Sequence, residues 1–152
     1  MSRESFILGI PPISDIMSHA KSLILYVDDD SDDCIFLKTS LEDAGNKADL
    51  ICASDGEEAV KYLNSIAKDS FPSLIVLDLN MPRWDGRRTL HYLKSHPHLA
   101  EIPVVILSTS ETNFEKENCE KMGAVSYLRK PSHFKGYKGI VDAFLTYMKP
   151  PL

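Results

Sequence analysis

Hydrophobic residues in this chain fall in short blocks separated by polar, helix-compatible stretches. Ser22-Leu-Ile-Leu-Tyr-Val27 is an apolar run of strand formers, and the acidic stretch Asp28-Asp-Asp-Ser-Asp-Asp33 follows it. An apolar pattern with Leu37 and Leu41 then stops at Gly45. Leu50-Ile-Cys-Ala53 is a second short run. Asp55 is placed to cap a helix in which Ala59, Leu63, Ile66 and Ala67 fall at i, i+4, i+7 and i+8. Leu74-Ile-Val-Leu77 precedes a helical stretch around Arg87 to Ser95, and Val104-Val-Ile-Leu107 precedes a weaker helix from Glu111 to Met122 anchored by Phe114 and Met122. Ala124 to Leu128 reads as a fifth strand, and Tyr137, Ile140, Val141, Phe144, Leu145 and Met148 form a closing helical stripe.

Strands alternating with helices through short connections predict a parallel sheet covered on both faces. The first, third and fourth runs are apolar throughout rather than alternating, as central strands buried on both sides require. The fold class is therefore α/β, a doubly wound five-stranded parallel sheet. Right-handed crossovers leave two orders, the flavodoxin-like 2-1-3-4-5 and a larger dinucleotide-binding order that needs a sixth strand. Residues 1–20, with Gly9, Pro11, Pro12 and Asp15, lack periodicity and are expected to be a flexible extension, with Met17 a possible alternative start.

The 152 residues amount to one domain, large enough to bury roughly 70% of its unfolded surface. Seventeen Lys plus Arg against 22 Asp plus Glu give a net charge of −5, which argues against a general nucleic-acid binder. No run approaches a bilayer span, and Pro11, Pro12 and Asp15 break the apolar N-terminal segment that would otherwise suggest a signal sequence. Cys34, Cys52 and Cys119 are odd in number and lack CxxC spacing, so reduced thiols in a cytoplasmic protein are expected.

In such a sheet the site lies beyond the carboxyl ends of the strands flanking the switch point. That rule brings Asp28 and Asp29, after the first strand, to Asp78, after the third. Two carboxylates about 4 Å apart repel by about 4 kcal/mol at an effective dielectric of 20, so such a cluster protonates or binds a cation. Hard oxygen ligands in a small site favour Mg²⁺. Asp30, Ser31 and Asp32 read instead as helix caps. Ser108 ends the fourth strand and Lys130-Pro131 follows the fifth, adding a hydroxyl and an ammonium to the same rim. Three acids, a hydroxyl and an amine suit phosphoryl transfer, with Asp78 the nucleophile.

LILYVDDDSDD, LIVLDLNMPRWDG, VVILSTS and YLRKP, in this order and spacing, resemble the receiver domain of response regulators, the CheY-like family, over about residues 21 to 149. The resemblance implies that Asp28 and Asp29 are an acidic metal-binding pair and that Asp78 accepts phosphate. It further implies that the backbone carbonyl of Asn80 completes the Mg²⁺ site and that Ser108 and Tyr127 are switch residues. Lys130 takes the place of the family's lysine, with a cis peptide to Pro131, and Pro82 and Gly86 match the loop after the phosphorylation site. The implied phosphodonor is a sensor histidine kinase, of phytochrome type or hybrid, or a phosphotransfer protein. The implied output is a protein target or a second copy docking on the surface of the fourth helix, fifth strand and fifth helix. No output domain follows the last helix, so direct contact with nucleic acid and turnover of an external substrate are not expected.

Alternative readings are a phosphate sink, a pseudo-receiver that docks without phosphorylation, and an aspartate-nucleophile phosphatase of the haloacid-dehalogenase type. The phosphatase wants a second acid where Asn80 stands. A flavin carrier of the same topology would find its phosphate repelled by DDDSDD. His91, His96 and His98 read as solvent-exposed, His133 as a helix-start residue, and Trp84 as a packing lid. Arg83, Arg87 and Arg88 read as a solvated face or a kinase-facing spot.

Overall fold

The computed structural model describes residues 22–110 and 112–149. The expected extension over residues 1–20 and the expected helix start at Glu111 lie outside them. Strand β1 (Leu23–Val27) leads to helix α1 (Ser31–Asp43), β2 (Asp49–Ala53), α2 (Gly56–Ser65), β3 (Leu74–Leu77) and α3 (Gly86–Ser95). The chain continues through β4 (Val104–Ser108), α4 (Asn113–Lys121), β5 (Ser126–Arg129) and α5 (Tyr137–Leu145). The strands form one 5-stranded parallel sheet in the order β2-β1-β3-β4-β5, as expected.

Side chains alternate across each central strand, and the two sets build two separate cores. Leu25, Val27, Ile75, Leu77, Val104 and Ile106 pack with Ala59, Leu63, Leu90 and Leu93 on the α2–α3 side. Ile24, Tyr26, Leu74, Val76, Val105 and Leu107 pack with Leu37, Leu41, Val141 and Phe144 on the α1–α5 side. Burial on both faces explains why β3 and β4 are buried at every position and apolar at all but Ser108, which ends β4 at the rim. The edge strand β5 is only half-buried.

Each of the first four helices starts on a polar side chain that accepts a hydrogen bond from an amide of the first turn: Asp30 from Asp32, Asp55 from Glu58, Asp85 from Arg88 and Thr112 from Glu115. Such caps satisfy amides that the helix itself cannot. Asp30 is thus a cap, as its position predicts, whereas Ser31 and Asp32, also expected to cap, are the first two residues of α1, and Asp32 supplies the capped amide.

Several expectations need correction. Helix α2 stops at Ser65, where the backbone of Ile66 turns extended, so Ile66 and Ala67 lie outside the stripe. Phe114 does not anchor α4; it is 73% exposed, and Cys119 is the buried residue of that helix. Periodicity cannot tell which face of so polar a helix meets the sheet. The Lys130–Pro131 bond is trans, since no described peptide bond is cis; trans is the ordinary form of an X–Pro bond. Cys34 and Cys52 are joined in a disulfide rather than being free thiols. The register of β2 on β1 and the packing of α1 over the same face bring their Cα atoms to 6.4 Å, within disulfide reach, which counting cysteines cannot reveal. Cys119 is free and buried, as expected of a thiol.

Candidate functional site

The carboxyl ends of β1, β3, β4 and β5 meet at one rim. The amide of Asp28 bonds to the Ala53 carbonyl at 3.0 Å and that of Asp78 to the Val27 carbonyl at 2.9 Å, so the sheet ladder itself aligns these residues. Oxygens of Asp28, Asp29 and Asp78 lie within 4.8 Å of one another. Asp28 and Asp78 are buried while Asp29 is exposed, which leaves one open side to the cluster. Gly86 begins α3 directly against this strand end. A Cβ there would run into the Asp78 carbonyl oxygen and stand 2.6 Å from the Leu79 Cα, so only glycine lets α3 start so close to the site.

Lys130 enters from beyond β5. Its Nζ donates to Asp28 Oδ2 at 2.6 Å, to Asp33 Oδ2 at 2.9 Å and to Asp78 Oδ2 at 3.5 Å. Burial alone would lower its pKa, but the bonds to Asp28 and Asp33 outweigh that and raise it, so it is a fixed cation. Burial raises the Asp78 carboxyl to about 6; the Asp28 charge adds to this, and Lys130 and the Asn80 amide offset only part. The folded protein thus compensates the charge of Asp78 only in part.

Ser108 is fully buried at the end of β4, and its Oγ accepts a hydrogen bond from the Ser110 amide at 3.2 Å. The hydroxyl of Tyr127, half-buried on β5, donates to the Ser110 carbonyl at 2.9 Å. One backbone unit, Ser110, therefore links the two expected switch residues. Asn80 sits in the loop after β3, where its amide bonds to Asp78 Oδ1 at 3.4 Å.

Three residues escaped the sequence reading. The Tyr26 hydroxyl donates to Asp28 Oδ2 at 2.5 Å, and the Tyr137 hydroxyl donates to Asp33 Oδ1 at 2.7 Å. Burial and then the Asp28 charge push the Tyr26 phenol up; burial and Asp33 do the same to Tyr137. Burial pushes the Asp33 carboxyl up, but the hydrogen bonds from Lys130 and Tyr137 win and hold it below the ordinary range. Periodicity carried the signal. Asp33 precedes Leu37 and Leu41 at helical spacing, and Tyr26 and Asp28 are two apart on a strand, so each pair shares a face.

Trp84 is a packing lid, its ring 5.4 Å from that of Tyr92 with the Arg88 guanidinium 4.1 Å above it. Arg83 is solvated, as one expectation had it, though it pairs with Asp55 at 3.3 Å, while Arg87 is partly covered and pairs with Glu115. His96 is half-buried rather than exposed, stacked on Tyr92 at 3.8 Å with its Nδ1 2.7 Å from the Tyr92 carbonyl oxygen. His133 caps the 3₁₀ turn Phe134–Gly136 by position, without a side-chain bond.

The donor set suits a small divalent cation: hard carboxylate oxygens, an open side, and a single nearby ammonium shared among several carboxylates. Residues 24–141 match the response regulator receiver domain. Response regulator Rcp1 of Synechocystis is 32% identical over 141 residues, covering 88% of this chain and 96% of that protein. The probable methanogenesis regulatory protein FilR2 of Methanothrix harundinacea is 30% identical over 127 residues, 82% of each chain. The phosphorylated cyanobacterial phytochrome response regulator RcpA superposes with a TM-score of 0.75 at 32% identity, over 87% of this chain and 99% of that one. The Mn²⁺-bound form of Rcp1 does so with a TM-score of 0.75 at 32% identity, over 86% and 99%. With the expected sheet order, the acidic rim and the lysine beyond β5 all present, this chain belongs to the response regulator receiver domain family.

Proposed function

We propose that residues 21–149 act as a phosphorylation switch in which Asp78 accepts a phosphoryl group from a histidine kinase or phosphotransfer protein. The observation that carries this reading is a buried Asp78 whose oxygens lie within 4.8 Å of those of Asp28 and Asp29, with the Lys130 ammonium 3.5 Å away. An Asp78 oxygen attacks phosphorus, the bond from phosphorus to the donor imidazole nitrogen breaks, and its electron pair returns to the ring. Asp28, Asp29, Asp78 and the Asn80 backbone carbonyl would hold Mg²⁺, which supplies charge neutralisation at the phosphoryl oxygens. Lys130 compensates a further oxygen, and Ser108 donates its hydroxyl to another.

Movement of Ser108 toward that oxygen gives up its bond from the Ser110 amide. Tyr127, bonded to the carbonyl of the same residue, is then free to follow. Two side chains tied to the backbone of one residue, Ser110, give a local event a route to the face of α4, β5 and α5, where a protein target or second copy would read it. Helix α4 suits such a surface because Cys119 is its one fully buried residue. Similarity to a phytochrome response regulator supports a phytochrome-type kinase as donor.

Among the described residues no helix is long and apolar enough to cross a membrane. A cytoplasmic location belongs to this proposal because the donor kinase draws on ATP; the Cys34–Cys52 disulfide stands against it. The family is one of regulators rather than of enzymes, and the only reaction assigned to the chain is its own phosphorylation and dephosphorylation.

The test is intact-mass measurement after incubation with acetyl phosphate. One added phosphoryl group is expected with Mg²⁺ and none after chelation or in Asp78→Asn. An unchanged mass under every condition would instead identify a pseudo-receiver.

A further inference from the structure

We propose that Asp33, steadied by Tyr137, is a positioning residue that holds the Lys130 ammonium away from Asp78, and so restrains phosphoryl uptake; this rests on the reading of Asp78 as phosphoacceptor. The geometry is a chain of three groups, from α5, α1 and the loop after β5. Tyr137 opens α5 and donates to Asp33 Oδ1 at 2.7 Å, and Asp33 Oδ2 accepts from Lys130 at 2.9 Å. The same Nζ stands 3.5 Å from Asp78 Oδ2, the longest of its three carboxylate contacts. The side chains of Lys130 and Asp33 are 10% and 15% exposed, so water competes weakly for either.

An acid in a first helical turn ordinarily serves the helix dipole. Asp33 does something else, because both of its oxygens are taken by partners outside α1 and the first-turn amide of Asp32 is capped by Asp30. Asp33 also lies outside the cluster of Asp28, Asp29 and Asp78. With Asp28 committed to a cation, Asp33 is the carboxylate left to Lys130. Phosphorylation raises the negative charge at Asp78, and the ammonium must shift toward it to compensate. The bond to Asp33 opposes that shift.

The restraint predicts a gain where structural damage would give a loss. Full-length Asp33→Asn should take up phosphoryl from acetyl phosphate about tenfold faster than wild type at saturating Mg²⁺, the size expected for one hydrogen bond between charged groups. Tyr137→Phe, which keeps the ring in the core, lets Asp33 turn toward water and should give a smaller gain in the same direction. It should add nothing on top of Asp33→Asn. In a Lys130→Ala background Asp33→Asn should have no effect.

A slower or unchanged rate in both single variants, or a gain that persists without Lys130, overturns the proposal. A wild-type protein that takes no phosphate removes the Asp78 reading. The parking contact is then judged separately, by the Lys130 Nζ resonance of the unphosphorylated protein. That signal should shift in both Asp33→Asn and Tyr137→Phe, and an unshifted signal removes the contact.

Discussion

Replacing Asp78 with Asn should make the metal-free protein more stable, and the gain should depend on pH. Burial raises the Asp78 carboxyl from 3.8 to about 6 in the folded protein. A group whose folded pKa is raised contributes stability that is complete below about pH 3.8 and is lost as pH rises through about 6. At about 1.4 kcal/mol per pH unit the loss comes to about 3 kcal/mol. Solvent reaches the rim beside the exposed Asp29 and screens part of it, so about 2 kcal/mol is expected. Asparagine has the shape of the neutral acid and suffers no such loss. Urea unfolding of both proteins in EDTA should therefore give nearly equal stabilities at about pH 4, and an advantage of about 2 kcal/mol for Asp78→Asn at about pH 8. For a domain of this size that corresponds to about 4–8 °C in Tm. Mg²⁺ should narrow the gap, because it binds the folded wild type more tightly. A gap that is absent at about pH 8, or constant across the range, would refute the view that the charge of Asp78 is poorly compensated.

Gly86→Ala should cost about 2–3 kcal/mol in urea unfolding, since its methyl runs into the Asp78 carbonyl and something must move; an unchanged midpoint would mean that α3 stands farther off. Cys34→Ser should lose about 3 kcal/mol under oxidising conditions, because the bond closes a loop over a sequence separation of 18; equal melting of variant and wild type without reductant would argue that the bond does not form in solution. Ser108→Ala should still gain phosphate in an intact-mass assay, while the Tyr127 ring resonances stop responding to it; a full Tyr127 response would remove Ser108 from the route.

The chain's periodicity alone determined the sheet. Apolar runs at β1, β3 and β4 have to be central because their side chains leave on both faces, and parallel strands with short crossovers then permit few orders. The acids and the lysine were legible for a related reason. Residues that directly follow parallel strands fall at one edge, so position along the chain already stands for position in space. Helix ends and polar faces were less legible: Ile66 continues a periodic pattern after the backbone has turned extended, and Phe114 sits on a helix too polar to declare its buried side. What only the tertiary structure decided are the contacts between elements far apart in sequence, namely Cys34 with Cys52, Arg87 with Glu115, and Tyr137 through Asp33 to Lys130. Sequence spacing records which side of its own helix or strand a residue occupies. The angle and depth at which two packed elements meet come from filling the core between them, and those decide which hydroxyl reaches which carboxylate.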